Sequence, residues 1–477
     1  MMARPRPEPD RPALESRALS RLAAERWPSG LLEALRRLRA DGRQAYLVGG
    51  TLRDVLLGRS FHGAYDVATD RPPPEVMALF PRVEPLGIAH GTVLVVLEDA
   101  TIECTTFRRE EGYADARHPD RVDFTGDLRA DLARRDFTIN ALAFDPLNGV
   151  LVDAHDGLAD LERGVLRAVG DPRERFHEDA LRPLRAARFA ATLEFEVEEE
   201  TRRALGVARD RARLVAMERV REELMKLMTA PRPSTGLELL RESGLLELWM
   251  PELVRGYGVP QNRWHAYDVY LHSLETCDGA PADKPVVRWA ALLHDIGKPS
   301  TRVERRGEGT FYGHQDVGAD LADRLLERLR FPNEMRAAIV RLVREHMFDY
   351  RSEWSDAAVR RWLRRVGEDA VADLFDLRIA DVLGNGLRTG FPAQLESLRR
   401  RIGRVMAQAH ALHARDLAVD GHDVMRTLGI GPGPEVGETL EALLQAVLED
   451  PELNRRDRLL ERLEERRARR ARSGAGA

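Results

Sequence analysis

The sequence predicts an α+β chain: an N-terminal α/β head built on a small mixed sheet, followed by all-helical neck, body and tail regions. Three observations predict it. Up to about residue 150, apolar runs of strand length alternate with amphipathic stretches. From about Asp153 the strand signal nearly vanishes and apolar residues recur at helical spacing, as in HEDALRPLRAARFAATL and MERVREELMKLM. The 477 residues also suffice for roughly two to four domains with separate cores.

Residues 1–28, rich in Pro, Arg and Glu, are expected to be disordered. Within the head, 29–150, Ala45–Val48 reads as a buried strand, Gly49-Gly50 as a tight turn and Thr51–Leu57 as a short helix. Tyr65–Ala68 reads as a second strand, and Arg71-Pro-Pro-Pro-Glu opens a helix that runs to about Phe80. GTVLVVL and TIECTTF, joined at Glu98-Asp99-Ala100, form a hairpin. The polar stretch REEGYADARHPDRVDFTGDLRAD, punctuated by Gly and Pro, reads as a mobile loop. The helical remainder divides into a neck and body over 151–255, a histidine-rich region over 256–385 and a charged helical tail over 386–477. Pro183 would remove one hydrogen bond from the helix that carries it and kink it locally.

Composition narrows the function classes. Seventy-four basic against 79 acidic residues give a net charge of −5, so any nucleic-acid surface is local rather than global. A 43% hydrophobic content excludes a fibrous or wholly disordered chain. The only lysines are Lys226, Lys284 and Lys298. Such a bias to arginine fits a GC-rich genome, although the planar guanidinium also suits phosphate. Two cysteines, Cys104 and Cys277, form no disulfide framework and point to a reducing compartment. No apolar run approaches the ~20 residues of a membrane span, and the start has no apolar signal core. A soluble cytoplasmic protein without a membrane partner is the expectation.

The head carries the first chemistry. In LVGGTLRDVLLGR a strand runs through Gly49 and Gly50 into a helix, letting backbone N–H groups approach an anion. Arg53 lies one turn in, placed to hold a phosphate oxygen, with Asp54 as a helix-side support. Most Gly-Gly turns only connect elements. Asp66 and Glu103 each sit on a short apolar strand, where an acid is uncommon unless paired or bound to metal. On neighbouring strands they would offer oxygens to Mg²⁺; the alternative is that each faces solvent on an edge strand.

Six segments in order, LVGGTLRDVLLGR, YDVAT, GIAHGTV, IECTTFR, RRDFTINALAFD and EDALRPLRAARFA, resemble the bacterial tRNA nucleotidyltransferases. These are the CCA-adding enzymes of the class II nucleotidyltransferase superfamily, which also holds the bacterial poly(A) polymerases. The resemblance implies a nucleotidyltransferase head whose partners are tRNA, CTP and ATP, with Mg²⁺ as cofactor. It implies attack of the tRNA 3′-hydroxyl on the α-phosphate, with Gly49, Gly50 and Arg53 holding the triphosphate and Asp66 and Glu103 as catalytic metal ligands. It further implies that Arg134, Arg135, Asp136 and Asn140 bind ribose and phosphate. Taken alone, that Arg-Arg-Asp start would more often be a charged helix cap.

Asp179 and Arg182, i and i+3 of an expected helix, would read the edge of C or A through a carboxylate acceptor and a guanidinium donor. Arg185 and Arg188 continue the nucleotide set. The structural alternative for 179 and 182 is a surface ion pair. The loop after Phe107 would help switch from C to A addition, with Ala116 where relatives have glycine.

One family residue is missing. The metal-binding strand of relatives reads Asp-x-Asp, whereas this chain reads Ala64-Tyr65-Asp66. Asp70 lies too far along an extended strand to substitute, and His62 is a poor Mg²⁺ ligand. Nucleotide addition much slower than in close relatives is therefore expected.

In the histidine-rich region His272, His294-Asp295, His314, His346 and Asp381 follow the order of an HD phosphohydrolase. Such a set offers ligands to one or two divalent transition metals that activate water for phosphoester hydrolysis. The main expectation is CCA addition with an HD side activity. The alternatives are a poly(A) polymerase or A-adding enzyme, an HD phosphohydrolase with a non-catalytic RNA-binding head, and a non-catalytic RNA-binding protein.

Overall fold

The computed structural model describes residues 10–61, 63–112, 121–262, 265–305, 308–387, 393–408 and 412–474. The chain divides into two compact units, Met1–Val254 with Arg328–Phe331, and Arg255–Glu327 with Pro332–Ala477. His62, Ala116 and the centre of the polar loop lie outside the described residues.

The first unit begins with helices α1 (Arg11–Ala24) and α2 (Ser29–Leu38). Over Arg11–Ala24 the disorder expected for 1–28 is corrected: Leu14, Ala18 and Leu22 recur every four residues, bury one stripe and dock the helix. Strand β1 (Ala45–Val48) leads into α3 (Gly50–Leu57), then β2 (Tyr65–Thr69) and α4 (Pro73–Leu79). β3 (Val83–Gly87), β4 (Thr92–Val96) and β5 (Thr101–Thr106) follow. The ends of the expected loop instead pair as a hairpin, β6 (Arg108–Glu111) with β7 (Arg121–Phe124), in which Arg108 opposes Phe124. Helix α5 (Leu128–Ala133) and strands β8 (Leu142–Asp145) and β9 (Val150–Asp153) complete the head.

Seven strands form one sheet in the order β3-β4-β5-β2-β1-β8-β9. Only the central β2–β5 pair is parallel, so the sheet is mixed, as the sequence predicted. Alternation along β5 decides the rest: Ile102 and Cys104 are fully buried, while Glu103 and Thr105 stand on the open face.

Next come α6 (Gly157–Arg163), α7 (Pro172–Glu178) and α8 (Arg182–Leu193). The continuous helix expected through 177–193 is broken at Asp179, whose backbone is extended (φ −126°, ψ 107°). Pro183 therefore sits in the first turn of α8, where no intrahelical N–H is needed, and the expected kink is absent. Among the described residues after the head sheet, strand pairing is confined to Val165–Leu166 with Glu196–Val197 and Val303–Arg305 with Glu308–Thr310.

In the second unit, Pro285–Leu293 is a helix whose Trp289, Ala290, Ala291, Leu292 and Leu293 are entirely buried. His294 and Asp295 follow it directly. The helices Val269–Gly279, His314–Arg328 and Val371–Gly384 carry His272, His314 and Asp381, and His346 caps the end of Asn333–Glu345. No helix of the described residues is long and apolar enough to cross a membrane.

Candidate active sites

In the head, Asp66 on β2 and Glu103 on β5 are direct partners in the parallel register, so both carboxylates rise from the same sheet face. Burial raises the pKa of each above the ordinary carboxylate range, and the charge of Asp66 raises Glu103 further. Two acids that destabilise each other's charge form a donor set suited to a divalent cation. Position 64, two residues before Asp66, carries only a methyl group. Asp70, beyond the far end of the strand, accepts the Gln44 N–H at 2.9 Å and is engaged there.

Gly49 has φ +71° and ψ −139°, a conformation open only to glycine. A Cβ there would lie 2.8 Å from Asp66 Oδ2. The turn thus presses main chain against the carboxylate, and the Gly50 backbone with Arg135 and Arg53 offsets part of the penalty that burial places on the Asp66 charge.

A cavity of about 490 Å³ collects nearly every sequence-predicted nucleotide residue: Gly49, Gly50, Arg53, Asp66, Arg134, Arg135, Asp136, Asn140, Asp179, Arg182, Arg185 and Arg188. Glu103 lines an adjoining recess that shares Asp66, Arg134 and Arg135 with it. The side chains are tied in sequence. Asp54 holds Arg53 through two bonds of 2.9 and 3.0 Å. Arg53 donates to Asn140 Oδ1 at 2.8 Å, and Asn140 donates to Asp136 Oδ1 at 3.0 Å. Asp136 Oδ2 accepts two bonds from Arg185, at 2.9 and 2.7 Å. Burial alone would raise the Asp136 pKa, but Arg185 and Asn140 outweigh it and hold this carboxyl well below its usual range.

Four participants in this network escape the sequence reading. Glu223, 3% exposed, accepts from Arg188 Nε at 2.5 Å and lies 3.6 Å from Arg185. Fully buried Asp131 accepts from Arg134 at 2.7 Å and Arg135 at 3.2 Å. Glu110 accepts a further bond from Arg134 at 3.2 Å. The Phe189 ring lies under Arg53, Arg185 and Arg188, with guanidinium carbons 4.9, 5.5 and 3.8 Å from its centroid.

Asp179 and Arg182 both face the cavity but are not neighbours on a helix, which corrects the expected i, i+3 arrangement. Asp179 Oδ1 caps the Leu181 N–H at 3.0 Å, and its Oδ2 lies 3.4 Å from Arg219. Arg182 opens α8 and is held by Glu178, the Arg175 carbonyl and the Arg134 carbonyl, at 2.6, 2.9 and 2.9 Å.

In the second unit the structure brings all six HD-pattern residues together. His272, His294 and Asp381 form one group of converging ligand atoms, and Asp295, His314 and His346 a second. Each histidine Nδ1 bonds a main-chain carbonyl: His272 to Gly384, His294 to Ala291, His314 to Phe311 and His346 to Val343. These bonds place the proton on Nδ1 and leave the Nε2 lone pairs facing inward. The Nε2 atoms of His272 and His294 are 3.2 Å apart, as are those of His314 and His346. Facing lone pairs at that distance repel unless a cation lies among them, so the donor set fits a metal.

Asp295 Oδ2 lies 3.1 Å from His294 Nε2, and Oδ1 3.3 Å from His314 Nε2. Burial opposes its charge, but His294 and Lys298 hold its pKa far below the normal value. Burial and the neighbouring histidines push His346 down to about 3, which keeps it neutral and able to ligate. A cavity of about 430 Å³ opens onto this cluster, and Lys298 and Arg378 place cationic heads in its wall.

Three family matches follow the chain in order: the poly A polymerase head domain over residues 45–167, the probable RNA and SrmB-binding site of polymerase A over 194–255, and the HD domain over 264–386. The CCA-adding enzyme of Enterococcus faecalis is 32% identical over 428 residues, 89% of this chain and 93% of that protein. That of Streptococcus gordonii is 35% identical over 428 residues, covering 89% and 95%. Among solved structures, the Bacillus stearothermophilus CCA-adding enzyme in complex with CTP matches with a TM-score of 0.71 at 30% identity, over 93% of this chain and 98% of that one. The Thermotoga maritima CCA-adding enzyme complexed with tRNA shares the fold at 21% identity, with a TM-score of 0.55 over 93% and 97%.

Proposed function

Because the chain belongs to the class II family of CCA-adding enzymes and poly(A) polymerases that carry an HD domain, we infer that it adds CMP and AMP to the 3′ end of tRNA without a template. In that reading the tRNA 3′-hydroxyl gives up its proton to solvent as its oxygen forms a bond to the α-phosphorus of CTP or ATP. The bond from that phosphorus to the bridging oxygen breaks, and pyrophosphate leaves with the electron pair. The observation that carries this reading is the in-register Asp66–Glu103 pair beside a cavity lined by arginines.

Each side chain has a task. Arg53, fixed by Asp54 and Asn140, presents its outer face to the triphosphate. Arg135, whose Nε has no hydrogen-bond partner among the described residues, adds a second donor. Arg185 and Arg188, ordered by Asp136 and Glu223, border the base and ribose. Asp179 accepts from the exocyclic amine of C or A while Arg182 donates to the ring, so U and G are rejected for presenting a carbonyl to a carboxylate. Asp66 and Glu103 would hold Mg²⁺, which lowers the pKa of the attacking hydroxyl and neutralises charge on the phosphates. With a methyl group at position 64 that site has one carboxylate fewer than in relatives, so addition is slow in this chain.

The HD unit supports a second activity. His272, His294, Asp295, His314, His346 and Asp381 would hold a divalent transition metal that supplies a water nucleophile at neutral pH. Lys298 and Arg378 hold the phosphate anion in the cavity. An alternative, in which the head only holds RNA while the HD unit hydrolyses phosphoesters, is favoured by a complete HD set beside an incomplete head set. The two buried free cysteines suit a cytoplasmic location.

The test is incorporation of CMP and AMP into tRNA ending before CCA. A product that stops after CCA supports the assignment; long homopolymer identifies a poly(A) polymerase, and no product leaves the HD reading. In parallel, chelator-sensitive hydrolysis of a 2′,3′-cyclic phosphate should vanish on His294→Ala with Asp295→Ala; hydrolysis unaffected by both would refute the HD assignment.

A further inference from the structure

The metal-ligand set and its two cations explain only part of the cavity in the second unit. At about 430 Å³ that cavity has the size of a small-molecule site, well beyond what a phosphate group fills. Phosphoester hydrolysis also needs a place for the alcohol that the phosphate leaves, and the remaining lining is where that alcohol lies.

Chain connectivity divides that lining into two chemistries. Phe311 and Tyr312 lie just before His314, and Met347 directly follows His346, so the wall beside the Asp295–His314–His346 group is aromatic and apolar. Tyr312 is 75% exposed and Met347 54%. The wall beside the His272–His294–Asp381 group is polar and carries His265 and Asn385. His265 packs edge-on against His272, with ring centroids 5.2 Å apart, and Asn385 comes one helical turn after Asp381.

Both polar groups are held in place, and each offers an acceptor. His265 Nδ1 lies 2.9 Å from Asn262 Oδ1; an amide oxygen only accepts, so Nδ1 carries the proton and Nε2 keeps its lone pair. The Asn385 carbonyl accepts the Ala266 N–H at 3.1 Å, which ties the His265 segment to the end of the Val371–Gly384 helix. Asn385 is 8% exposed, and its Oδ1 is buried with no hydrogen-bond partner among the described residues. A buried acceptor in a cavity wall is costly unless a ligand brings it a donor. A phosphate dianion has no donor to give, whereas a hydroxyl has one.

We propose that His265 and Asn385, which lie outside the HD pattern, are specificity residues that accept from a ribose hydroxyl next to the scissile phosphoester, with the base of the nucleoside against Tyr312 and Met347. The phosphate then lies at the HD ligands, Lys298 and Arg378. In the hydrolysis a water oxygen bonds to phosphorus and the bond from phosphorus to the sugar oxygen breaks. The sugar oxygen leaves with the electron pair and takes one proton of the water, giving a ribonucleoside and inorganic phosphate. The proposal rests on the phosphohydrolase reading of the HD unit and adds to it the residues that select the sugar.

The experiment pairs side chains with the hydroxyl. The full chain loaded with Co²⁺ is mixed by stopped flow with adenosine 3′-monophosphate or its 2′-deoxy counterpart. The change in visible Co²⁺ absorption gives affinity, and phosphate release in the same mixtures gives turnover. Loss of the absorption change in His294→Ala with Asp295→Ala assigns the signal to this cavity. The wild-type chain is expected to bind the ribonucleotide at least about tenfold more tightly than the deoxynucleotide. In Asn385→Leu and in His265→Phe that penalty is expected to fall below about threefold. Equal wild-type affinities, or no binding of either nucleotide, overturn the proposal without any variant having to fold. An undiminished penalty in both variants overturns the roles of His265 and Asn385. Selective binding with no phosphate release from either nucleotide overturns the phosphohydrolase reading and leaves the sugar subsite standing.

Discussion

Asp136 is the joint of the nucleotide network, and its replacement by Asn isolates what the charge does. The amide keeps the shape and can still accept from the Phe137 N–H at 2.8 Å and from Asn140. The NH₂ group now meets two Arg185 donors where Oδ2 had accepted both. Breaking a fully buried ion pair costs about 3–5 kcal/mol. The Arg185 side chain is 31% exposed, so water recovers part of that cost and the lower end, about 3 kcal/mol, applies. For a unit of this size each kcal/mol moves Tm by about 2–4 °C, giving a fall of roughly 6–12 °C.

Calorimetry of the full chain should show the loss in one transition only, because Asp136 lies in the first unit. The pH dependence has a defined sign. The Asp136 pKa is depressed in the fold, so its contribution is fully present above the unfolded value of about 3.9 and is lost as pH falls below it. The gap between wild type and Asp136→Asn should therefore be flat from about pH 5 to 8 and close only in acid. CTP affinity should fall at least about tenfold, since Arg185, Asn140 and Arg53 lose their common anchor. The double variant Asp136→Leu with Arg185→Met should regain most of the stability and none of the affinity. A Tm within 2 °C of wild type, or unchanged CTP binding, would refute the reasoning.

Further outcomes follow from the same geometry. Gly49→Ala should lower stability by about 1–3 kcal/mol through its backbone conformation and abolish incorporation by displacing Asp66; urea denaturation and a primer-extension gel check both. Glu223→Gln should raise the KM for CTP more than it lowers kcat, because Glu223 orders Arg188 and Arg185 without reaching the carboxylate pair. Asp295→Asn should reduce the divalent metal that co-purifies with the chain, read by elemental analysis, and make the Tm of the second unit insensitive to EDTA.

The sheet and its two carboxylates were legible because strand periodicity is two: once TIECTTF is a strand, Glu103 must leave the face that buries Ile102 and Cys104. The convergence of the HD-pattern residues was legible because polar residues interrupt apolar helices in a characteristic order, and a His-Asp pair directly after buried Trp289–Leu293 has few structural uses. Helix α1 was obscured by its neighbours; Pro and Arg around Leu14, Ala18 and Leu22 hid a stripe only three residues long. The break at Asp179 was invisible because proline is tolerated in a first helical turn as readily as it kinks an interior, and nothing local separates the two cases. Glu223 and Asp131 read as ordinary helix-surface acids. Only the fold reveals that their partners are arginines from distant segments, or that Phe189 lies beneath three of them.

The central claim is that the head is a nucleotidyl-transfer site short of one carboxylate, and Ala64→Asp tests it most directly. Position 64 is two residues before Asp66, so the new side chain would share the face of the Asp66–Glu103 pair. Single-turnover incorporation of CMP into tRNA ending before CCA, measured across a Mg²⁺ titration, should rise on the order of 10- to 1000-fold, with half-saturation at lower Mg²⁺. A chain that already incorporates rapidly, with the rate and its Mg²⁺ dependence unchanged by the substitution, would contradict the account.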